Sequence, residues 1–165
     1  MHDDRRIFEK LQLEAFQSGL SWLTILRKRE NFRSAFDGFD PVLVAAYGAK
    51  DSARLLADAG IVRNRLKIAA TITNARALLD LLDAAGEGAL DRLLWSRRPT
   101  PRRARPRSFA DVPGKTAESI ALAKDLKALG FVFVGPTTAY AAMQSLGVVD
   151  DHLVGCFRAK VATAH

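Results

Sequence analysis

The sequence has a single cysteine, Cys156, so no internal disulfide can form. No opening run combines positive charge, an apolar stretch and a small-residue cleavage site, so no secretion signal is expected. Every apolar stretch, residues 68–72 among them, falls far short of the ~20 residues that cross a bilayer. A cytoplasmic chain with no membrane partner is the expectation. Serine-nucleophile and dinucleotide-binding signatures are absent, and Gly114-Lys115-Thr116 lacks the upstream glycine of a phosphate-binding loop. What is present is 165 residues at 48% hydrophobic content, enough for one domain, 1–165, to bury a core without staples.

Basic residues exceed acidic ones, 25 against 18, for a net charge of +7, and a polyanionic partner is worth testing. The excess is local. Arg97, Arg98, Arg102, Arg103, Arg105 and Arg107 share one acid-free stretch with three of the six prolines, so residues 97–113 are expected to form a basic loop and not a helix. Two readings stand for that loop, a phosphate-contacting arm or a solvated insertion.

Apolar residues recur at three and four almost everywhere, and period-two alternation appears only around residues 131–134, so the fold class is all-α. Asp3 or Asp4 caps a first helix that runs to about Ser18, with Gly19 as its left-handed terminator. Further helices are expected from Ser21, from Asp40-Pro41, from Asp51 to Gly60, from Arg63 to Ala85, and briefly through Trp95. After the basic loop, Thr116 caps a helix ending at Gly130, Gly135-Pro136 opens another through Leu146, and a last one covers Asp151 to Phe157.

At 100° per residue Glu14 lies on the apolar stripe of the first helix, within about 20° of Ile7. Charged residues are rarely buried unless paired or functional, so Glu14 is either a site residue or a helix-edge side chain that reaches solvent or an arginine. Trp22 follows directly after Gly19-Leu20-Ser21. An indole face near a carboxylate suits a cationic planar ligand, although a tryptophan can equally be core. Between Leu129 and Pro136 two helices are joined by a short apolar turn with glycine at both ends, the pattern of a helix-hairpin-helix. Gly130 and Gly135 permit close backbone approach, and Thr137 and Thr138 sit where open helix N–H groups can take phosphate. His152 and Cys156, four apart on the expected last helix, are half of a tetrahedral metal site, or a buried thiol beside a histidine.

Several blocks resemble the DNA-3-methyladenine glycosylase I family: residues 13–22, 28–33, 59–65 with Lys67-Ile68 and Asn74-Ala75, and 130–140 continuing to Met143-Gln144, Asp151-His152 and Gly155-Cys156. They match in order and spacing over nearly the whole chain. The resemblance implies a compact helical glycosylase fold and a monomeric base-excision-repair enzyme that flips 3-methyladenine out of duplex DNA and hydrolyses its N-glycosidic bond. It implies Glu14 as the catalytic, base-contacting carboxylate and Trp22 as the stacking aromatic. Gln17 and Tyr140 are pocket neighbours, and Gly19-Leu20 is the loop that fills the gap left by the base. Asp150 and Asp151 are rivals for a role in bond cleavage, with a helix cap as the plainer use of Asp151.

No cofactor is expected for the chemistry. The family's structural zinc pins its termini together, but only His152 and Cys156 match its ligands here, so tightly bound zinc is not expected. The family's pattern also opens with a cysteine, tyrosines, a histidine and Glu-Trp-Gly that this sequence does not contain. Two alternatives follow: a catalytically impaired DNA-binding remnant that lacks part of the pocket, and a piece of a longer protein.

Overall fold

The computed structural model describes residues 2–99 and 105–160. Arg102 and Arg103 of the basic loop, and His165, lie outside the described residues. Among the described residues nine α-helices follow in order: α1 (Asp4–Gln17), α2 (Trp22–Arg27), α3 (Arg29–Ala35), α4 (Pro41–Ala45), α5 (Ala49–Ala57), α6 (Arg65–Ala85), α7 (Ala89–Ser96), α8 (Ala117–Ala128) and α9 (Pro136–Leu146). Short 3-10 turns occupy Asp37–Phe39, Phe109–Asp111 and Phe157–Lys160. There is no strand among the described residues, so the alternation at 131–134 belongs to the turn between α8 and α9. Among the described residues no helix is long and apolar enough to cross a membrane.

Local chemistry sets most helix starts. The side chains of Asp3, Ser21, Asn64 and Thr116 each accept a backbone N–H in the first turn of α1, α2, α6 and α8. Asp40 does the same for α4, whose first residue is Pro41. Both expected bounds of the fifth helix move. The fifth helix begins at Ala49, because Asp51 lies inside its first turn and its carboxylate accepts from the Gly48 N–H at 3.1 Å. It ends at Ala57, because the Asp58 carboxylate captures the Gly60 N–H at 2.7 Å and turns the chain.

The larger correction is at the C-terminal end, where the expected helix from Asp151 to Phe157 does not form. The Asp151 carboxylate accepts from the Tyr140 hydroxyl and from Gln144 Nε2, the latter at 2.9 Å, so it is bound to α9 and opens no helix of its own. Asp150 pairs with Arg105 at 2.7 Å, and the Val154 N–H donates to the Pro106 carbonyl at 2.9 Å. These ties hold residues 150–154 irregular against the strand-free end of the basic loop, and only the turn Phe157–Lys160 is helical.

The core surrounds the long α6, which packs on α1, α4, α5 and α7, while α1 also packs on α9 and α9 on α8. Phe8, Phe16, Phe32, Phe36 and Phe39 are fully buried, with Phe16 and Phe32 rings 4.7 Å apart and Phe36 and Phe39 5.3 Å apart. At ~1.5–3 kcal/mol per buried large apolar side chain, this cluster fixes α1 against α3. A second tie does the same at its edge: Glu9, also buried, accepts from Arg29 at 3.1 Å and Arg33 at 2.9 Å. α1 is thereby a firmly anchored platform, and Glu14 stands on its last turn.

Candidate active site

Glu14 is 6% exposed, which removes the reading of a side chain reaching solvent. Burial raises the pKa of its carboxyl, and the Lys10 ammonium and the Ser145 hydroxyl oppose that shift by favouring the ionised form. Lys10 stands one turn earlier on α1, and Ser145 comes from α9, so the carboxyl lies at the junction of the two helices.

Lys10 is the link between Glu14 and Trp22. Its Nζ lies 5.4 Å from the centre of the Trp22 ring, within the ~6 Å at which a cation is held by an indole face. Burial lowers the pKa of this ammonium, helped by Arg29 and Arg33 and resisted by Glu14 and Glu9. Trp22 is the first residue of α2 and is 37% exposed, so it is not core. The ammonium on the open indole face thus also acts electrostatically on the buried carboxyl. Sequence reading passes over Lys10, whose signal is its spacing one helical turn before Glu14.

The turn between α1 and α2 projects outward. Gly19 has φ of +81° with open space around it, as the left-handed terminator requires. The Leu20 N–H donates to the Gln17 carbonyl at 2.7 Å, and Gln17 Nε2 donates back to the Leu20 carbonyl at 2.7 Å. Gln17 therefore has its amide nitrogen committed to bracing this turn. Leu20 is exposed at its tip, continuous with exposed Leu23 and Leu26 on α2. Lys67, another residue not singled out by sequence reading, reaches from α6 to donate to the Phe16 and Ser18 carbonyls at 2.8 and 2.5 Å, closing the C-terminal end of α1.

The hairpin joins α8 to α9 through residues 129–135. Gly130 has φ of +90°, with the Ala77 methyl 3.6 Å from where a Cβ would stand. Asn74 on α6 holds the turn: its Oδ1 accepts from the Val132 N–H at 2.7 Å and its Nδ2 donates to the Val132 carbonyl at 3.1 Å and to Gln12 Oε1 at 3.0 Å. Gly135 is the N-cap of α9 and provides no side chain to occupy the helix's first N–H groups, leaving exposed Thr137 and half-buried Thr138 at an open, positive helix end. Tyr140, 2% exposed, points its hydroxyl at Asp151.

The basic loop divides. Arg97 pairs with Asp125 at 2.6 Å and Arg105 with Asp150 at 2.7 Å, so two of its arginines brace the fold. His152 Nδ1 and Cys156 Sγ are 3.7 Å apart across a turn, not on a helix face. A closed zinc site takes four ligands, and among the described residues no group of three histidine, cysteine or acidic side chains is placed to hold a metal. The described residues do not fit the zinc that the resemblance implies.

A family model described as methyladenine glycosylase matches residues 1–159. DNA-3-methyladenine glycosylase 1 of Escherichia coli (strain K12) is 47% identical over 155 residues, 93% of this chain and 82% of that protein. A crystal structure of 3-methyladenine DNA glycosylase I superposes with a TM-score of 0.89 at 46% identity, covering 95% of this chain and 86% of the other. A tyrosine-to-phenylalanine variant of 3-methyladenine DNA glycosylase I in complex with 3-methyladenine gives 0.87 at 35% identity, covering 95% and 84%.

Proposed function

The chain belongs to the methyladenine glycosylase family, and on that premise we infer that it is a base-excision-repair DNA glycosylase that removes 3-methyladenine from alkylated DNA. The observation that carries the site assignment is the Lys10 ammonium on the Trp22 face, close enough for its charge to act on the buried Glu14 carboxyl. Methylation at N3 gives the adenine of DNA a positive charge, so the flipped base is itself a planar cation.

The enzyme acts as a single domain on duplex DNA, as a monomer in the cytoplasm. The N–H groups at the start of α9, with Thr137, Thr138 and the glycines of the hairpin, grip backbone phosphate without reading sequence. Leu20, carried on the braced Gly19 turn, enters the space that the extruded base leaves. Trp22 stacks on the base, Glu14 hydrogen-bonds it and balances its charge, and Gln17 and Tyr140 support the pocket from the turn and from α9.

Little acid catalysis is needed, because the base is already a good leaving group. The C1′–N9 bond breaks with its electron pair moving to N9, which neutralises the base. Water then adds to the cationic sugar carbon and loses a proton, leaving an abasic site and neutral 3-methyladenine. The chain supplies extrusion, orientation and charge balance. No step passes through a cofactor.

Release of 3-methyladenine from methylated duplex DNA tests this reading. Glu14→Gln and Trp22→Ala should each lower release about 10²-fold while DNA binding survives. Binding without release by the unaltered protein would instead identify a DNA-binding remnant.

A further inference from the structure

The mechanism above leaves Lys10 unused, yet Lys10 occupies its centre. Its ammonium lies 5.4 Å from the middle of the Trp22 ring, and it interacts with Glu14, the carboxyl one turn further along α1. Those are the two groups assigned to a cationic base. An indole face attracts one cation, and a second brought to the same face meets the repulsion of the first.

We propose that Lys10 is a placeholder cation: in the free enzyme its ammonium occupies the Trp22 face beside Glu14, it withdraws when the charged base is flipped in, and its return displaces the neutral product. The inference rests on the base-binding reading of Glu14 and Trp22 given above. Three features of the site support it. Lys10 is half-buried, so a change of its flexible side chain's rotamer carries the ammonium out to solvent or to DNA phosphate without disturbing the backbone. Arg29 and Arg33, which hold Glu9 behind it, repel the ammonium from that side. The charge of the base also exists only before bond cleavage. Entry therefore exchanges one cation for another, whereas after cleavage the product has no charge with which to hold the ring against Lys10.

The test compares two probes by titration calorimetry: neutral 3-methyladenine and the fixed cation 3,9-dimethyladeninium, whose N9 methyl stands for the sugar. Lys10→Met keeps the length of the side chain and removes its charge, Lys10→Gln serves as a second neutral variant, and Lys10→Arg keeps the charge. The neutral variants should bind the cationic probe about fivefold more tightly than the unaltered enzyme, Lys10→Arg should bind it as the unaltered enzyme does, and 3-methyladenine should inhibit the neutral variants more strongly. A merely structural role for Lys10 would weaken binding of both probes and would not distinguish arginine from methionine. Unchanged or weaker binding of the cation by Lys10→Met and Lys10→Gln overturns the proposal while leaving the base site intact. If neither probe binds any folded form, the assignment of the base site falls and the proposal with it.

Discussion

Lys67 Nζ donates to the Phe16 carbonyl at 2.8 Å, joining α6 to the end of the helix that carries Glu14. The same ammonium holds the Ser18 carbonyl, one residue before the projecting Gly19 turn. Lys67→Met leaves the buried Phe16 carbonyl and the part-buried Ser18 carbonyl without that donor, and a loss of about 1.5–3 kcal/mol in urea unfolding is expected. Because the turn that carries Leu20 is anchored there, base release should fall further than the fraction unfolded accounts for. Single-turnover rates on methylated DNA, measured where the variant is fully folded, check this.

Glu14 gives a prediction in pH. Burial raises its native pKa above the ordinary 4.5, so between those two values the native state binds more protons than the unfolded chain. The stability contributed by the neutral carboxyl is complete below pH 4.5 and is lost as pH rises through the native value. Glu14→Gln removes that loss. The variant should melt at a higher temperature than the unaltered protein at pH 7.5, with the difference shrinking toward pH 4.5. Release of 3-methyladenine should fall by about 10²-fold in the same variant, a loss of function accompanied by a gain of stability.

The hairpin predicts a contrast between its two glycines. Gly130 has φ of +90°, and Gly130→Ala forces a side chain into a left-handed conformation at a cost of about 1–2 kcal/mol, read as a lower unfolding midpoint. Gly135 has an ordinary φ of −84° and open space where a Cβ would stand. Gly135→Ala should therefore unfold as the unaltered protein does, yet weaken DNA binding, because the methyl stands at the helix end assigned to phosphate. Equal DNA affinity for Gly135→Ala and the unaltered protein would remove that helix end from the interface.

Asn74 should behave as a brace and not as a contact. Its side chain satisfies both the N–H and the carbonyl of Val132 and reaches Gln12. Asn74→Ala is expected to cost about 2–3 kcal/mol, since the buried Gln12 amide and the part-buried backbone groups of Val132 lose their partner. DNA affinity should fall as the hairpin loosens, with the slope of affinity against salt unchanged because no phosphate contact is deleted. A shallower slope would mean that the hairpin had lost phosphate contacts as well.

The basic loop shows where sequence reading stopped short. Its composition marks it as a loop, and Arg97 and Arg105 do leave the helices, but their partners Asp125 and Asp150 stand 28 and 45 residues further along the chain. No local pattern names those partners. Reversal of Arg105 therefore disturbs an ion pair before it tests a phosphate contact.

Sequence alone determined the all-helical class, most helix starts and the place of Glu14 on a buried stripe. Each of these is decided within one or two turns, by caps such as Asp3, Ser21 and Thr116 and by the 3.6-residue period. The same period says which face a side chain takes and nothing about what meets it there. Only the tertiary structure set Ser145 against Glu14, seated Lys10 on Trp22 and gave Asp151 to Tyr140 in place of a final helix. Those pairings depend on how α1, α2 and α9 dock, and docking is fixed by the shape of the whole core, Phe8, Phe16 and Phe32 included, and not by the residues that meet in the site.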